Sequence, residues 1–260
     1  MSLFRGVFLI PQMIGWGQYA IIKLFTNTKM KYIFEKPLIE GIITSRPNRF
    51  IMFVKIKNKI HKCHCPSTGK IGNIEFKNIP CLLSESNNPS RKTKFTVEAI
   101  YPVKDVCVGI NQTKANTYIN FFLENNLLKK IVDTKEIRRE VKLNTSRIDF
   151  FINNNLYLEI KTPLTHLPFG GKVDTSKFNS FERMGRHFLE ISSQIEKGKK
   201  AIVAQCYMYN AKSFETPKPI KPEIIEIVTE ATRRGLGLWQ INLKIDKRGV
   251  SLIKYFRLAS

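Results

Sequence analysis

Residues 147–161 read RIDFFINNNLYLEIK, and this stretch decides how the second half of the chain folds. Two runs of β-favouring residues flank three asparagines, which tolerate the left-handed backbone of a tight turn, so a β-hairpin is predicted. With a three-residue turn, Ile152 faces Leu156 and Asp149 faces Glu159. Like charges directly opposite one another destabilise a sheet. We therefore expect a divalent cation between the two carboxylates.

Side chains alternate along a strand, which assigns the faces of the predicted hairpin. One face of the first run carries Arg147, Asp149 and Phe151, the other carries Ile148, Phe150 and Ile152, and Tyr157, Glu159 and Lys161 share a face of the second run. Asp149 and Glu159 are candidate ligands for Mg²⁺ or Mn²⁺, which bind hard oxygen atoms and activate water. The Lys161 ammonium could position the attacking water and neutralise phosphate charge. The same pattern also fits a surface strand with an Asp–Lys ion pair.

The composition favours a polyanionic partner. The 260 residues include 43 Lys and Arg against 21 Asp and Glu, a formal net charge of +22. Such a charge favours nucleic acid, with an acidic membrane surface as the alternative and a generally basic proteome as the neutral explanation. The five scattered cysteines suggest a reducing compartment, so a cytoplasmic location is expected. Cys63-His64-Cys65 lacks the usual spacing of a zinc finger.

Residues 1–35 are predicted to be an N-terminal extension. Residues 6–22 carry no charge, but Pro11, Gly15 and Gln18 make this stretch a poor membrane span. A stable membrane anchor is therefore not expected, and an appended helix or a poorly ordered tail is favoured.

Residues 36–110 are predicted to form a small β-barrel, because short β-favouring runs alternate with turn signals. Basic residues on its connections could hold a nucleic-acid backbone while neighbouring phenylalanines stack on bases. The residues chosen for this role are Arg46, Arg49, His64, Arg91 and Lys92. The alternative is that the aromatic rings fill the barrel and the cations are solvated.

Residues 111–260 are predicted to form a mixed α/β domain, since helical and strand patterns alternate there. Helices are expected over 116–130, over 181–195 and over 223–234, with strands at 200–207, 236–245 and 250–258. The second helix places Arg183, Arg186 and His187 on its polar side. Together with Arg147 of the hairpin, these residues are predicted to contact phosphate.

Several motifs occur in one order along the chain: HCPSTG at 64–69, RK at 91–92, EVK at 140–142, SRIDF at 146–150, YLEIK at 157–161 and ER-x-x-RH at 182–187. This set resembles the sugar fermentation stimulation protein family. The resemblance covers residues 36–258 and implies an N-terminal OB-type barrel followed by a PD-(D/E)XK nuclease-like α/β domain. It also implies DNA binding, and the family name carries a regulatory role in sugar metabolism.

The chain departs from the family pattern at Phe121, where a helical Glu is usual and could serve as a third ligand on the metal side. Glu124 and Glu140 are the nearest acidic alternatives in the sequence. Ser67 stands where the family has Asn, and Arg186 where it has Lys.

Three hypotheses follow. The first is a DNA-binding protein with a Mg²⁺-dependent phosphodiester-cleaving site, in which Asp149, Glu159 and Lys161 are catalytic. The second is a non-catalytic DNA-binding regulator of sugar metabolism genes that retains the nuclease fold. The third is a protein that binds RNA or a membrane surface. The sequence leaves open whether the DNA is single- or double-stranded and whether the protein is a homodimer.

Overall fold

The computed structural model describes residues 30–67, 69–164, 167–169, 180–212 and 222–258. In chain order the elements are β1 (Lys31–Ile33), β2 (Ile39–Asn48), β3 (Ile51–Ile56), β4 (Lys59–His64), β5 (Ile79–Glu85), β6 (Phe95–Val103), β7 (Val106–Gly109), α1 (Gln112–Glu124), β8 (Ile137–Leu143), β9 (Ser146–Ile152), β10 (Leu156–Lys161), α2 (Ser180–Glu196), β11 (Lys200–Tyr207), α3 (Pro222–Arg233), β12 (Gly237–Ile245) and β13 (Gly249–Arg257).

Strands β2 to β6 form a closed, OB-like barrel. Their order is β4-β3-β2-β5-β6, and a parallel contact between β4 and β6 closes the sheet on itself. Apolar side chains that alternate along the strands fill the interior, among them Ile43, Met52, Val54 and Val97, which are fully buried. Closure removes the exposed edges that an open sheet of this size would present.

The second half folds around a seven-stranded mixed sheet of order β1-β13-β12-β11-β10-β9-β8. Strands β10, β11 and β12 are parallel neighbours in the centre, and the outer pairs are antiparallel. Helix α1 covers one face through Tyr118 and Phe122, and α2 and α3 cover the other through residues such as Phe188 and Ala231. Helices on both faces explain why the central strands are apolar on both sides.

The predicted fold class is confirmed: an OB-like barrel followed by an α/β domain. Helix α1 differs from its predicted range, since it begins at Gln112 and ends at Glu124. Asn126 adopts a positive φ of 53°, which interrupts the helix before the leucines that follow. Residues 95–109 form two strands, β6 and β7, since Asp105, with φ 64°, makes a turn between them.

Strand β1 was not predicted, because residues up to 35 were assigned to an extension. Lys31, Tyr32 and Ile33 pair with Ser251, Val250 and Gly249 of β13 at the edge of the larger sheet. The chain therefore enters the α/β domain before it builds the barrel. The predicted features of residues 1–29 lie outside the described residues.

The barrel and the larger sheet meet at Gly109, whose N–H donates to the Met208 carbonyl at 2.9 Å. A Cβ at this position would lie 2.4 Å from Ile245 Cδ1 and 2.6 Å from Met208 Cβ, so only glycine allows the approach. Among the described residues, no helix is long and apolar enough to cross a membrane.

Candidate active site at the β9–β10 hairpin

The hairpin forms with the predicted turn. Asn153 and Asn154 adopt positive φ values of 53° and 55°, and Ile152 pairs with Leu156. The Asn153 side chain accepts hydrogen bonds from the backbone N–H groups of Lys135 and Glu136, at 2.8 and 3.0 Å. The turn is thereby fixed to the loop that precedes β8.

The regular pairing of β9 with β10 ends just before Asp149 and Glu159. The β9–β10 ladder includes Phe151 opposite Tyr157 and Phe150 opposite Leu158, but not the predicted pair of Asp149 and Glu159. Instead the Asp149 carboxylate accepts from the Ile160 N–H at 2.6 Å, and the Glu159 carboxylate accepts from the Asp149 N–H at 3.3 Å. The two acidic side chains therefore converge, although each bonds to the opposite backbone.

The predicted alternation of faces is wrong at one position. Ile148 packs in the cluster beneath α2 with Phe188 and Val203, whereas Phe150 packs beneath α1. The alternation breaks at Asp149, because its two neighbours in the sequence, Ile148 and Phe150, are buried on opposite faces of the sheet. A local irregularity of this kind redirects a side chain out of the sheet.

Glu159 lies at the centre of a small polar network and is 4% exposed. Its Oε1 accepts hydrogen bonds from Lys161 Nζ at 2.6 Å and from His187 Nδ1 at 2.9 Å. His187 Nδ1 is also 3.5 Å from Lys161 Nζ. Charged hydrogen bonds of this type orient a carboxylate firmly and offset the cost of burying it.

Asp149 carries the most informative electrostatic feature of the site. Burial, and then the neighbouring Glu159 carboxylate, raise the pKa of Asp149 to about 7, against hydrogen bonds from Ile160 and Asn116 and the charge of Lys161, which favour ionisation. The repulsion expected from the sequence is therefore present. A bound cation would relieve it, because positive charge favours both ionised carboxylates.

Helix α1 reaches the site through a residue that the sequence analysis missed. Asn116 Nδ2 donates to Asp149 Oδ1 at 2.6 Å. Phe121, where a helical Glu was expected, instead packs edge-on against Tyr32 with ring centroids 5.7 Å apart. Glu124 and Glu140 are exposed and make no described contact with the site. Its spacing in the sequence does not mark Asn116, because only the docking of α1 on the sheet brings this side chain to Asp149.

The donor set fits a magnesium ion. The described residues contain no group of three or more His, Cys, Asp or Glu side chains arranged around a metal position. Magnesium, however, is commonly held by one or two carboxylates and completes its shell with water and substrate phosphate. Asp149 and Glu159 supply two carboxylates whose mutual repulsion a cation would relieve.

The predicted phosphate-contacting residues of α2 occupy different environments. Arg186 is exposed, as is Arg147 on β9, so both can reach a phosphate. His187, predicted on the polar side of the helix, is 6% exposed and bonds to Glu159. The predicted exposed position of His187 was wrong, because α2 packs on the sheet with His187 facing Glu159 of β10. The side chain of Arg183 lies outside the described residues.

Arg46 and Arg49 lie at a shallow depression of about 400 Å³ on the barrel. Arg46 Nη2 donates to the carbonyls of Ser67 at 2.9 Å and Gly69 at 3.1 Å, and its guanidinium lies over Phe76. Arg46 thus holds the backbone of Ser67 and of Gly69 in place. Arg49 stacks on the exposed ring of Phe50, so this pair offers both charge and a ring face to a ligand.

His64 and Arg91 line a different part of the barrel, the cleft that faces α1. Lys92 is exposed beside Arg91 but does not line this cleft. Neither surface of the barrel shares a described hydrogen bond with the hairpin site. Cys63 and Cys65 are buried, and burial raises the pKa of the Cys63 thiol to about 11, which disfavours the thiolate that zinc requires.

These features define a class of protein: a closed OB-like barrel joined to an α/β domain that presents an acid–acid–lysine site on a hairpin. The model of the SfsA N-terminal OB domain matches residues 44–110, and that of the sugar fermentation stimulation protein RE domain matches residues 113–249. The chain belongs to the sugar fermentation stimulation protein family.

Individual relatives support this assignment. A sugar fermentation stimulation protein homolog of Clostridium novyi is 30% identical over 77% of this chain and 90% of its own length. A homolog of Pelagibacter ubique is 27% identical over 86% of this chain and 98% of its own length. The structure of Pyrococcus furiosus SfsA in complex with Ca²⁺ matches with a TM-score of 0.71 at 19% identity, over 87% of this chain and 98% of that one. At that identity the match supports the fold.

Proposed function

We propose that the protein binds DNA and cleaves phosphodiester bonds with the help of Mg²⁺ or Mn²⁺ at the β9–β10 hairpin. The observation that carries the proposal is the convergence of the Asp149 and Glu159 carboxylates, with the pKa of Asp149 raised to about 7 and Lys161 Nζ 2.6 Å from Glu159. Two carboxylates that repel one another need a reason to be retained, and a cation site supplies one.

Asp149 and Glu159 would hold the cation, which when bound polarises the phosphate and lowers the pKa of a water molecule. The structure of Pyrococcus furiosus SfsA in complex with Ca²⁺ supports a cation as a ligand of this fold. Asn116 and the Ile160 N–H orient the two oxygens of Asp149. His187 fixes Glu159 Oε1.

Lys161 contributes its own chemistry. Its ammonium has three N–H bonds, of which one donates to Glu159 Oε1, so two remain for a phosphate oxygen or a water molecule. Its side chain is 26% exposed, which leaves it accessible from solvent. Positive charge fixed at this point stabilises the negative charge that grows on the phosphate in the transition state.

The net charge of +22 would bring the nucleic acid to the site. Exposed Arg147 and Arg186 lie on elements that carry the site, and Arg49 with Phe50 offers a stacking surface on the barrel. The protein would act in the cytoplasm, consistent with free cysteines in the described residues.

The test is cleavage of supercoiled plasmid and of single-stranded DNA with Mg²⁺ or Mn²⁺. We expect the wild type to cut at least one substrate, and Asp149→Asn and Lys161→Met to lose at least a hundredfold in rate. Lys244→Met is a matched control, since Lys244 is an exposed lysine on β12, outside the site. Equal cleavage by wild type and both site variants would indicate a contaminating nuclease.

A second candidate function is a DNA-binding regulator that does not cleave. The observation in its favour is that α1 presents Asn116, an amide, to Asp149 where a third acid would strengthen cation binding. This candidate predicts salt-sensitive DNA binding by the wild type and by Asp149→Asn alike, with no cleavage by either.

A further inference from the structure

A cleft of about 700 Å³ lies between the barrel, the start of α1 and the segment that joins β1 to β2. It is separate from the hairpin carboxylates, none of which lines it. Its size is in the range of small-molecule and cofactor sites. Its lining combines a polar wall, an aromatic wall and a cationic rim, and these three parts together indicate a ligand.

The polar wall is built around Glu98, which is 4% exposed. Ser84 Oγ donates to Glu98 Oε1 at 2.5 Å, and Asn111 Nδ2 donates to Oε2 at 2.7 Å. Each carboxylate oxygen can accept a further hydrogen bond from a ligand. A carboxylate held this firmly in a cleft presents fixed acceptors.

His64 adds an unsatisfied group to the same wall. Its Nδ1 is buried and has no hydrogen-bond partner among the described residues. Buried polar atoms are nearly always paired, so this nitrogen is available to pair with a polar group of a ligand. Burial, and then the charge of Arg91, lower the pKa of His64 against the opposing effect of Glu98. His64 therefore lies within electrostatic reach of both charged groups.

The aromatic wall consists of the half-buried rings of Tyr32 and Phe34, which pack on the fully buried ring of Tyr118. Tyr32 and Tyr118 have ring centroids 5.1 Å apart, and Phe34 packs edge-on against both. Rings packed at such angles hold one another rigid. A rigid aromatic wall in the same cleft as fixed hydrogen-bond acceptors suits a flat heteroaromatic ring, which stacks through its π face and forms hydrogen bonds through its edge.

The rim carries three exposed cations, Lys36, Arg91 and Lys114. Arg91 Nη2 donates to Thr96 Oγ1 at 3.3 Å, which leaves most of its N–H groups for a ligand. Guanidinium and ammonium groups at one mouth bind phosphate. The rim thus complements the charged end of a molecule whose ring lies deeper in the cleft.

We infer that this cleft binds one nucleotide unit, with the base stacked on the aromatic wall, its edge directed at Glu98, and the phosphate at Arg91, Lys36 and Lys114. Helix α1 links the cleft to the hairpin, because Lys114 and Tyr118 line the cleft while Asn116 contacts Asp149. The nucleotide therefore belongs to the strand whose phosphodiester reaches the hairpin, and this part rests on the proposed function. An unpaired base is required, so the preferred substrate is single-stranded or carries an extrahelical nucleotide.

The test is calorimetric binding by the full chain in EDTA, with the four deoxynucleoside monophosphates, the matching nucleosides and inorganic phosphate as separate probes. We expect at least one monophosphate to bind tenfold tighter than its nucleoside and than phosphate. Arg91→Ala and Lys114→Ala should each weaken it at least tenfold. Lys104→Ala is the matched control, because it removes one exposed positive charge on the β6–β7 turn, away from the cleft.

Two results would overturn the inference: phosphate binding as tightly as every nucleotide, or nucleotide binding that Arg91→Ala and Lys114→Ala leave unchanged. Absence of binding by any monophosphate and by a single-stranded pentanucleotide would do so as well. A pentanucleotide that binds tenfold tighter than its monomers identifies a strand as the source, and equal affinities identify the free nucleotide. Both outcomes support nucleotide binding in the cleft.

Failure of this inference is distinguishable from failure of the proposed function. Asp149→Asn should leave nucleotide binding intact, because Asp149 does not line the cleft. Nucleotide binding without any cleavage would refute only the proposed function. Cleavage that depends on Asp149, with no nucleotide binding in the cleft, would refute only the inference.

Discussion

Replacing Asp149 with Asn should stabilise the metal-free protein at alkaline pH while it removes cation binding. Burial and the Glu159 carboxylate raise the pKa of Asp149 from its ordinary 3.8 to about 7. Keeping this group ionised in the folded protein therefore costs free energy. Asn cannot ionise, and its amide can still accept from the Ile160 N–H, while the Asn116 amide can rotate to accept from it.

The sign follows from the two pKa values of Asp149. In the unfolded chain the carboxyl ionises near pH 4, and in the folded protein only near pH 7, so the wild type loses stability as pH rises through this window. A pKa difference of one unit corresponds to about 1.4 kcal/mol, which gives an upper limit of roughly 4 kcal/mol. Because Asp149 interacts with the Glu159 carboxylate and is partly accessible to solvent, we expect Asp149→Asn to be more stable than the wild type by about 2 kcal/mol above pH 7.

Urea denaturation in EDTA at pH values from 4.5 to 8.5 measures this difference. The stability advantage of Asp149→Asn should be small at pH 4.5, grow towards pH 7 and then level off. Asp246→Asn is the contrasting control: burial raises the pKa of Asp246, but hydrogen bonds from Arg248, Lys31 and Gly249 outweigh it and lower the pKa overall. That variant should lose stability at neutral pH. The reasoning would be refuted if Asp149→Asn were less stable than the wild type at pH 8. It would also be refuted if the difference in free energy of unfolding between the two proteins were the same at every pH.

Three further predictions concern the same site and its charge. At a hundred times Kd, Mg²⁺, Mn²⁺ or Ca²⁺ should stabilise the wild type by about 2.7 kcal/mol and so raise its melting temperature in scanning calorimetry, but not that of Asp149→Asn. Asn116→Asp should lower stability in EDTA and raise cation affinity, because it adds a carboxylate beside Asp149; unchanged affinity by isothermal titration would contradict the role given to α1. DNA affinity should fall steeply with salt, and Arg186→Ala should reduce the slope of log K against log [salt] by about one; a flat salt response would exclude phosphate contacts as the main source of affinity.

Variants of His187 test whether this residue positions Glu159 for cation binding or only stabilises the fold. His187→Ala removes a hydrogen bond from the buried Glu159 carboxylate, which should cost about 1–3 kcal/mol in urea denaturation. If His187 positions Glu159, cation affinity should also fall, and His187→Asn should restore part of it. Loss of stability with unchanged cation affinity would limit His187 to packing.

The sequence by itself determined the features that depend on neighbouring residues. The asparagine turn, the pairing of Ile152 with Leu156 and the alternation of helices and strands from α1 to β13 follow from local backbone preference and from the period of apolar residues. These local signals placed Asp149, Glu159 and Lys161 on one hairpin. The set of motifs then identified the family, which the matching domain models confirmed.

Only the tertiary structure decided which side chains complete the hairpin site. Asn116 and His187 reach the carboxylates because α1 and α2 pack on opposite faces of the sheet, and the rotation of a packed helix depends on contacts with residues far away in the chain. The same holds for β1, whose pairing with β13 joins residues more than 200 positions apart. The cleft combines residues from four separate parts of the chain, so no local pattern could have shown that Glu98, His64 and Tyr118 line a common space. Short-range periodicity specifies elements, whereas their docking is fixed by long-range burial and close packing.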